Sequence, residues 1–230
     1  DHINRTYTPN TPAPASTTNF EQHQASVFTG VLTWQPGGKY IELPDQKIGI
    51  GSKAPTFTLT YKKGIPNLLG SDVDYAKWSL NVSDNLPLGL GGTFQYRATM
   101  GGFVNANKLY APDLQHYFGN QAYVTIEHLK GFQLLPYYQF SNQSRFYSTV
   151  FAEYHLNGLL TNKIPGFRKL NWFLVGVVSY LHVNNMVDYT EAIVGIENIF
   201  KVMRVDLING YQKGEPTRTG VRITVPITFK

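Results

Sequence analysis

The stretch Thr56-Phe57-Thr58-Leu59-Thr60-Tyr61-Lys62 alternates polar and apolar residues at every step. Successive side chains of a β-strand point to opposite faces. The stretch therefore presents Phe57, Leu59 and Tyr61 on one side and Thr56, Thr58, Thr60 and Lys62 on the other. Outward from it the same period recurs. Ala76, Trp78, Leu80 and Val82 oppose Lys77, Ser79 and Asn81, and Phe94, Tyr96, Ala98 and Met100 alternate with Gln95, Arg97 and Thr99. Val150, Ala152, Tyr154 and Leu156 oppose Thr149, Glu153 and His155. The last stretch sets Val221, Ile223, Val225, Ile227 and Phe229 against Arg222, Thr224 and Thr228. Helical spacing fits none of these stretches better.

The alternation predicts about twelve strands, each near the length that a tilted membrane strand needs. They are placed at 25–35, 38–50, 55–63, 75–83, 90–100, 122–130, 132–140, 146–157, 171–181, 189–197, 202–211 and 219–229. Residues 1–22, rich in Pro, Thr, Asn and Ser, read as an extended or mobile segment, and 23–230 as the strand-bearing domain. Connections alternate between short turns (Asp84–Gly89, Asn198–Lys201) and longer loops (Gly64–Asp74, Gly101–Gln121). The segment 158–170 is long although it falls on the short-turn side.

Composition narrows the function classes. The chain has 230 residues, 42% hydrophobic and 15% charged, with no apolar run long enough for a membrane helix. Its mean hydropathy of −0.22 is what diluted, alternating strands give. Aromatic content is 14%, which suits either interfacial belts of a membrane barrel or a carbohydrate-binding β-domain. Cysteine is absent, which excludes thiol catalysis, thiolate metal sites and disulfide stapling. The formal charge is +5, but the Lys and Arg residues are scattered, without the clustered footprint of a nucleic-acid binder.

A soluble sandwich alternates too, with the faces exchanged. The quality of the faces separates the two architectures. The apolar faces carry no charged residue, and Tyr61, Trp78, Trp172, Tyr180 and Tyr211 lie near their ends. The polar faces carry Arg97, Glu153, His155, Glu191, Glu197, Arg204, Asp206 and Arg222. A wet or ion-paired lumen accepts such groups, whereas a lipid-facing Arg or Lys costs about 2–4 kcal/mol at the midplane. The expected fold is all-β: an antiparallel transmembrane β-barrel.

Phe146–Gly158 (FYSTVFAEYHLNG), Lys163-Ile164-Pro165, Arg168-Lys169-Leu170, Glu191–Phe200 (EAIVGIENIF) and Arg204-Val205-Asp206 resemble one family. Lys39-Tyr40-Ile41, Pro55–Gly64, Leu69-Gly70-Ser71-Asp72 and Phe118-Gly119-Asn120-Gln121 fit it as well. It is the uncharacterised barrel family, a domain of unknown function, that follows a carboxypeptidase-regulatory-like domain in outer-membrane proteins of Bacteroidetes-type bacteria. The resemblance implies the C-terminal part of a longer Gram-negative outer-membrane protein. More loosely, the order of Val194-Gly195-Ile196, Arg204-x-Asp206 and a terminal strand ending at Phe229 is similar to the outer-membrane assembly and two-partner-secretion transporters. Those barrels have about sixteen strands, and the present strands would stand alone or within such a wall. Two hallmarks of that superfamily are missing: no Arg-Gly-aromatic tip occurs in the SNQSR stretch after Phe140, and Phe173–Val178 lacks the expected Asp.

The eight charged residues of the polar faces are expected to form a lumenal network, and Phe229 to serve as the terminal assembly signal. A general acid/base pair or metal site at Glu153 and His155 is the sharper alternative. An interfacial hydrolase needs Ser and His together. Ser148 and His155 fall on opposite faces, as do Ser179 and His182, with His182 expected in a loop. His2, His23, His116 and His128 are too dispersed for metal-ligand spacing. No enzyme and no cofactor are therefore expected. The expected partners are outer-membrane lipid, the barrel-assembly machinery and other envelope proteins, with a role in envelope biogenesis, export or surface-protein assembly. The alternative is a solute channel or receptor barrel.

Overall fold

A computed structural model describes residues 6–7, 18–19, 23–120, 127–136, 138–158 and 161–225. The fold is all-β, and its main body is one antiparallel sheet of nine strands. In chain order the strands are β1 (Thr6–Tyr7), β2 (Thr18–Asn19), β3 (Val27–Trp34), β4 (Lys39–Leu43), β5 (Gln46–Gly51), β6 (Thr56–Gly64), β7 (Asp74–Pro87) and β8 (Thr93–Lys108). They continue with β9 (Tyr147–His155), β10 (Phe173–Val183), β11 (Tyr189–Ile199), β12 (Met203–Gln212) and β13 (Arg218–Thr224). The sheet order is β13-β12-β11-β10-β9-β8-β7-β6-β3. It is not closed: β3 and β13 are its edges among the described residues. β1 pairs with β2, and β4 with β5, as separate two-stranded sheets.

Several expectations are corrected. The strand expected at 38–50 is the β4–β5 hairpin, turned at Pro44-Asp45 between strands that lie outside the main sheet. β7 and β8 extend well past 75–83 and 90–100, so the loop expected to start at Gly101 begins only after Lys108. No strand occupies the described parts of 122–130 and 132–140. Gly131 and Pro136 interrupt this stretch, and Phe132, Gln133 and Leu135 are all buried. Burial of adjacent residues on both sides is incompatible with a half-exposed strand. His182 lies within β10 rather than in a loop. Residues 226–230, including Phe229, lie outside the described residues. The 158–170 connection contains the short helix α1 (Pro165–Leu170), which begins at Pro165 and is capped at its end by Asn171 with φ 56°.

The two faces of the sheet differ in kind. On one, the open face, exposed apolar residues run through eight of the nine strands: Phe28 and Leu32 on β3, Leu59 on β6, Met100 on β8, Val150 on β9, Val178 on β10, Val194 on β11, Leu207 on β12 and Val221 on β13. Leu32 and Val194 are 66% and 64% exposed. The other, covered face lies beneath the β8–β9 connection. Tyr117, Phe132, Leu135 and Phe140 from that connection form one cluster with Tyr147, Phe151, Leu181, Val183 and Tyr189. Leu134 packs on Val175, Val177, Ile193 and Ile208. The Phe132 ring lies 4.9 Å from Phe151 and 5.7 Å from Tyr189.

Candidate functional site: a loop fastened to buried charges

Strand register brings distant residues into rows on the covered face. His155, Val175, Gly195, Asp206 and Arg222 lie opposite one another in turn across β9 to β13. Another row runs Arg97, Phe151, Ser179, Glu191, Gly210 and Arg218. The small residues between the charges are what allow them to meet. Arg204 on β12 reaches Glu153 on β9, three strand spacings away, or about 14 Å, through an ion pair between its Nη1 and Glu153 Oε1. Its Nε donates to Asp206 Oδ1 at 2.7 Å. A Cβ on Gly195 would stand 2.1 Å from that same Asp206 oxygen and 3.2 Å from Arg204 Nε. Any larger residue at 195 would therefore fill the space the carboxylate and guanidinium occupy.

The first cluster extends from Glu153 and Asp206 in both directions. His128, brought by the β8–β9 connection, places Nε2 3.3 Å from Asp206 Oδ2, with both residues buried. His155 stands with Nδ1 2.9 Å from Glu197 Oε2 and Nε2 3.5 Å from Glu153 Oε1. A second cluster forms around Glu191, which is 0% exposed. Its Oε2 accepts the backbone N–H of Gln133 at 2.7 Å, and its Oε1 accepts that of Leu134 at 2.7 Å and the Tyr189 hydroxyl at 2.9 Å. Arg222 Nη2 donates to the Gln133 carbonyl at 3.1 Å. One peptide stretch is thus held through its amides by a carboxylate and through its carbonyl by a guanidinium. Isolated charges in such a place would be costly, and these hydrogen bonds offset the cost.

Of the eight charged residues named from sequence, the structure gathers Glu153, His155, Glu197, Arg204 and Asp206 in one cluster, and Glu191 and Arg222 in the other. Arg97, on β8, joins neither. Its buried Nε has no hydrogen-bond partner among the described residues, and it lines a separate recess of about 400 Å³ with Gln35, Ser83, Asn85 and Leu129. Sequence reasoning missed His128 and Gln133, because it assigned 122–130 and 132–140 to strands, and missed Tyr189, whose strand it placed correctly, because nothing local shows that its hydroxyl meets Glu191. Lys130-Gly131-Phe132 comes nearest to the Arg-Gly-aromatic tip sought elsewhere in the chain. Phe132 is buried, but Lys130 is exposed and pairs with Glu127 at 2.5 Å. The fastening is made instead by backbone groups and His128.

The base of the same connection is held by His116. Its Nε2–H donates to the Ala111 carbonyl at 2.8 Å, and its Nδ1 stands 2.8 Å from the Ser141 hydroxyl, which donates to it when the ring is neutral. Burial lowers the His116 pKa; the Ala111 carbonyl opposes this and nearby Lys77 adds to it. Burial likewise raises that of Tyr117. Each oxygen of Glu191 is occupied by a protein donor, so the chemistry of this cluster is fastening: it joins a chain segment to the face of the sheet.

Comparison with known proteins places this arrangement in a family without assigning it a task. No curated protein and no solved structure matches the chain. Residues 1–196 match the C-terminal domain of DUF5686, a family of unknown function. The matched stretch contains the fastened connection, Glu153, His155 and Glu191, while Glu197, Arg204, Asp206 and Arg222 follow it. On that match, the chain belongs to the DUF5686 C-terminal domain family.

Proposed function

We propose that this sheet is wall of an outer-membrane β-barrel, that its covered face is the lumen, closed by the fastened β8–β9 connection, and that the protein acts in envelope biogenesis, export or surface-protein assembly. The observation that carries the reading is the inversion of the faces. Large apolar side chains are exposed from one edge of the sheet to the other, while Glu153, Glu191, Arg204, Asp206 and Arg222 are buried. A water-soluble sheet arranges these the other way round. Exposed apolar area on this scale marks a surface that meets lipid or a partner. In lipid the edges at β3 and β13 need pairing, because unpaired backbone groups find no water there. Further strands of a larger wall, of about sixteen on the transporter likeness, supply that pairing. An internal segment bound by both amide and carbonyl suits a gated or occupied lumen better than a permanently open solute pore. Within this reading the protein follows a carboxypeptidase-regulatory-like domain in a longer chain and reaches the membrane through the barrel-assembly machinery.

The test is depletion of the full-length protein followed by quantitative proteomics of outer-membrane and surface fractions. The reading expects a defined set of barrels or surface lipoproteins to fall. An unchanged surface proteome removes the biogenesis role and leaves solute conduction through the purified barrel as the function to measure.

A further inference from the structure

The open face carries a second group of chemistry-bearing residues, at the rim where β9, β10 and β11 turn. His182 lies directly opposite Ser148 in the β9–β10 ladder. Asp188, the residue before β11, stands with Oδ1 2.7 Å from His182 Nδ1. The other carboxylate oxygen of Asp188 accepts the Tyr180 hydroxyl at 2.7 Å. Serine and imidazole thus face each other across two neighbouring strands on one face, and the carboxylate reaches the same ring from the β10–β11 turn. The pairs weighed from sequence, Ser148 with His155 and Ser179 with His182, do lie on opposite faces, but with His182 in β10 rather than a loop a different pair, Ser148 with His182, shares one face.

We propose that Ser148, His182 and Asp188 form an acyl-ester hydrolase site on the open face at its rim, with an acyl lipid as substrate. The lipid part rests on the membrane reading above; the hydrolase part does not. With Nδ1–H given to Asp188, the ring keeps its Nε2 lone pair free to take a proton. Residues directly opposite in an antiparallel ladder have Cβ atoms about 4.5–5.5 Å apart, so side-chain rotation brings the Ser148 hydroxyl to the ring. Such pairs are often loose before substrate binds. The Asp188 carboxyl is held below the usual carboxylate range by its hydrogen bonds from Tyr180 and His182, so it is ionised and orients the ring. His182 and Asp188 side chains are 37% and 48% exposed, which gives water access. One row inward on the same face lie Val150 and Tyr180, with Val178 a further row in, and the Phe146 ring sits 6.2 Å from that of His182. An acyl chain lying on Val150 and Val178 puts its ester at the level of Ser148 and its head group at the rim, where Tyr side chains favour the interface.

The reaction is two-step. Ser148 Oγ bonds to the ester carbonyl carbon while its proton passes to His182 Nε2. The carbon–oxygen bond of the ester then breaks, and the leaving alkoxide takes that proton to become the alcohol. Water repeats the sequence on the acyl-serine, losing a proton to His182 and releasing the carboxylic acid and free Ser148.

The experiment uses full-length protein in detergent, a fluorophosphonate probe with mass-spectrometric site mapping, and hydrolysis of 4-nitrophenyl butyrate. Vesicles of phosphatidylethanolamine bearing a fluorescent acyl chain are run beside them, with flotation to score membrane insertion. The expected result is probe on Ser148, loss of hydrolysis to background in Ser148→Ala, a fall in kcat of about 100-fold with little change in KM in Asp188→Asn, and partial rescue by Asp188→Glu. A protein that floats with vesicles but leaves Ser148 unlabelled overturns the proposal and leaves the membrane reading intact. Labelling and butyrate hydrolysis without flotation support the site and overturn the lipid substrate.

Discussion

Replacing Glu191 with alanine removes the acceptor that holds the Gln133 and Leu134 amides, and the consequence can be sized from the geometry. Both amides lie 2.7 Å from the carboxylate, which is fully buried, so water does not replace it. A buried donor left unsatisfied costs about 1–3 kcal/mol, which gives about 2–6 kcal/mol for the pair. At about 1.4 kcal/mol per factor of ten, the population with the segment lifted off the sheet rises by about 30-fold to 10⁴-fold. Glu191→Gln keeps one acceptor oxygen and forfeits one bond, so its effect is about 5-fold to 150-fold. The assay is amide hydrogen exchange on the protein in lipid, read at residues 131–135 and, as control, at Val177 and Ile193 in the neighbouring ladder. The expected pattern is graded acceleration in the segment, largest in the alanine variant, with the ladder amides unchanged. Exchange at Gln133 and Leu134 that stays within about threefold of the parent in Glu191→Ala refutes the reasoning, since that is under 0.7 kcal/mol.

The remaining expectations concern the packing, the face and the pH response. Gly195→Ala drives a methyl into Asp206 Oδ1, so thermal unfolding should fall by the equivalent of about 1–3 kcal/mol. Val194→Arg and Leu207→Arg on the open face should each lower the stability of the lipid-reconstituted protein by about 2–4 kcal/mol, against about 0.5 kcal/mol for an ordinary water-exposed surface; urea titration distinguishes the two. The His116 pKa lies below its ordinary 6.5 because of burial, so the unfolded or lifted form binds more protons as pH falls. The base of the connection is therefore most secure above pH 6.5 and loosens as pH drops below it. Exchange at residues 112–117, corrected for intrinsic rate, should rise from pH 7.5 to pH 5.5 in the parent and lose that dependence in His116→Gln.

The main sheet was legible because its signal is local. Period-two alternation in 56–62, 76–82, 94–100 and 150–155 assigned each residue to the face on which it is found, and the charged residues to the covered face. The β8–β9 connection was not legible for the same reason. Phe132, Gln133, Leu134 and Leu135 carry strand-like hydrophobicity, and what makes them a loop is distant: a carboxylate at 191 and a guanidinium at 222 that bind its backbone. Gly131 and Pro136 were the local warning. The rows of charge depend on inter-strand register, which alternation leaves undetermined; the same gap hid the Ser148–His182 pairing. β8 was underestimated because small residues such as Gly101, Gly102 and Ala106 blur the pattern near its end, and β7 because Asp84, Asn85 and Pro87 carry turn chemistry.

The central claim is that the open face meets lipid. The 230 residues contain no cysteine, so a cysteine introduced among them is the single labelling site of this domain. Positions 178, 194 and 207 on the open face and 133 in the fastened segment would each carry a bimane fluorophore in the full-length protein reconstituted into vesicles, with quenching by brominated lipid chains compared with quenching by aqueous iodide. The account predicts strong lipid quenching and weak iodide quenching at 178, 194 and 207, and no lipid quenching at 133. Iodide quenching at all three open-face positions, with brominated lipid without effect, contradicts it.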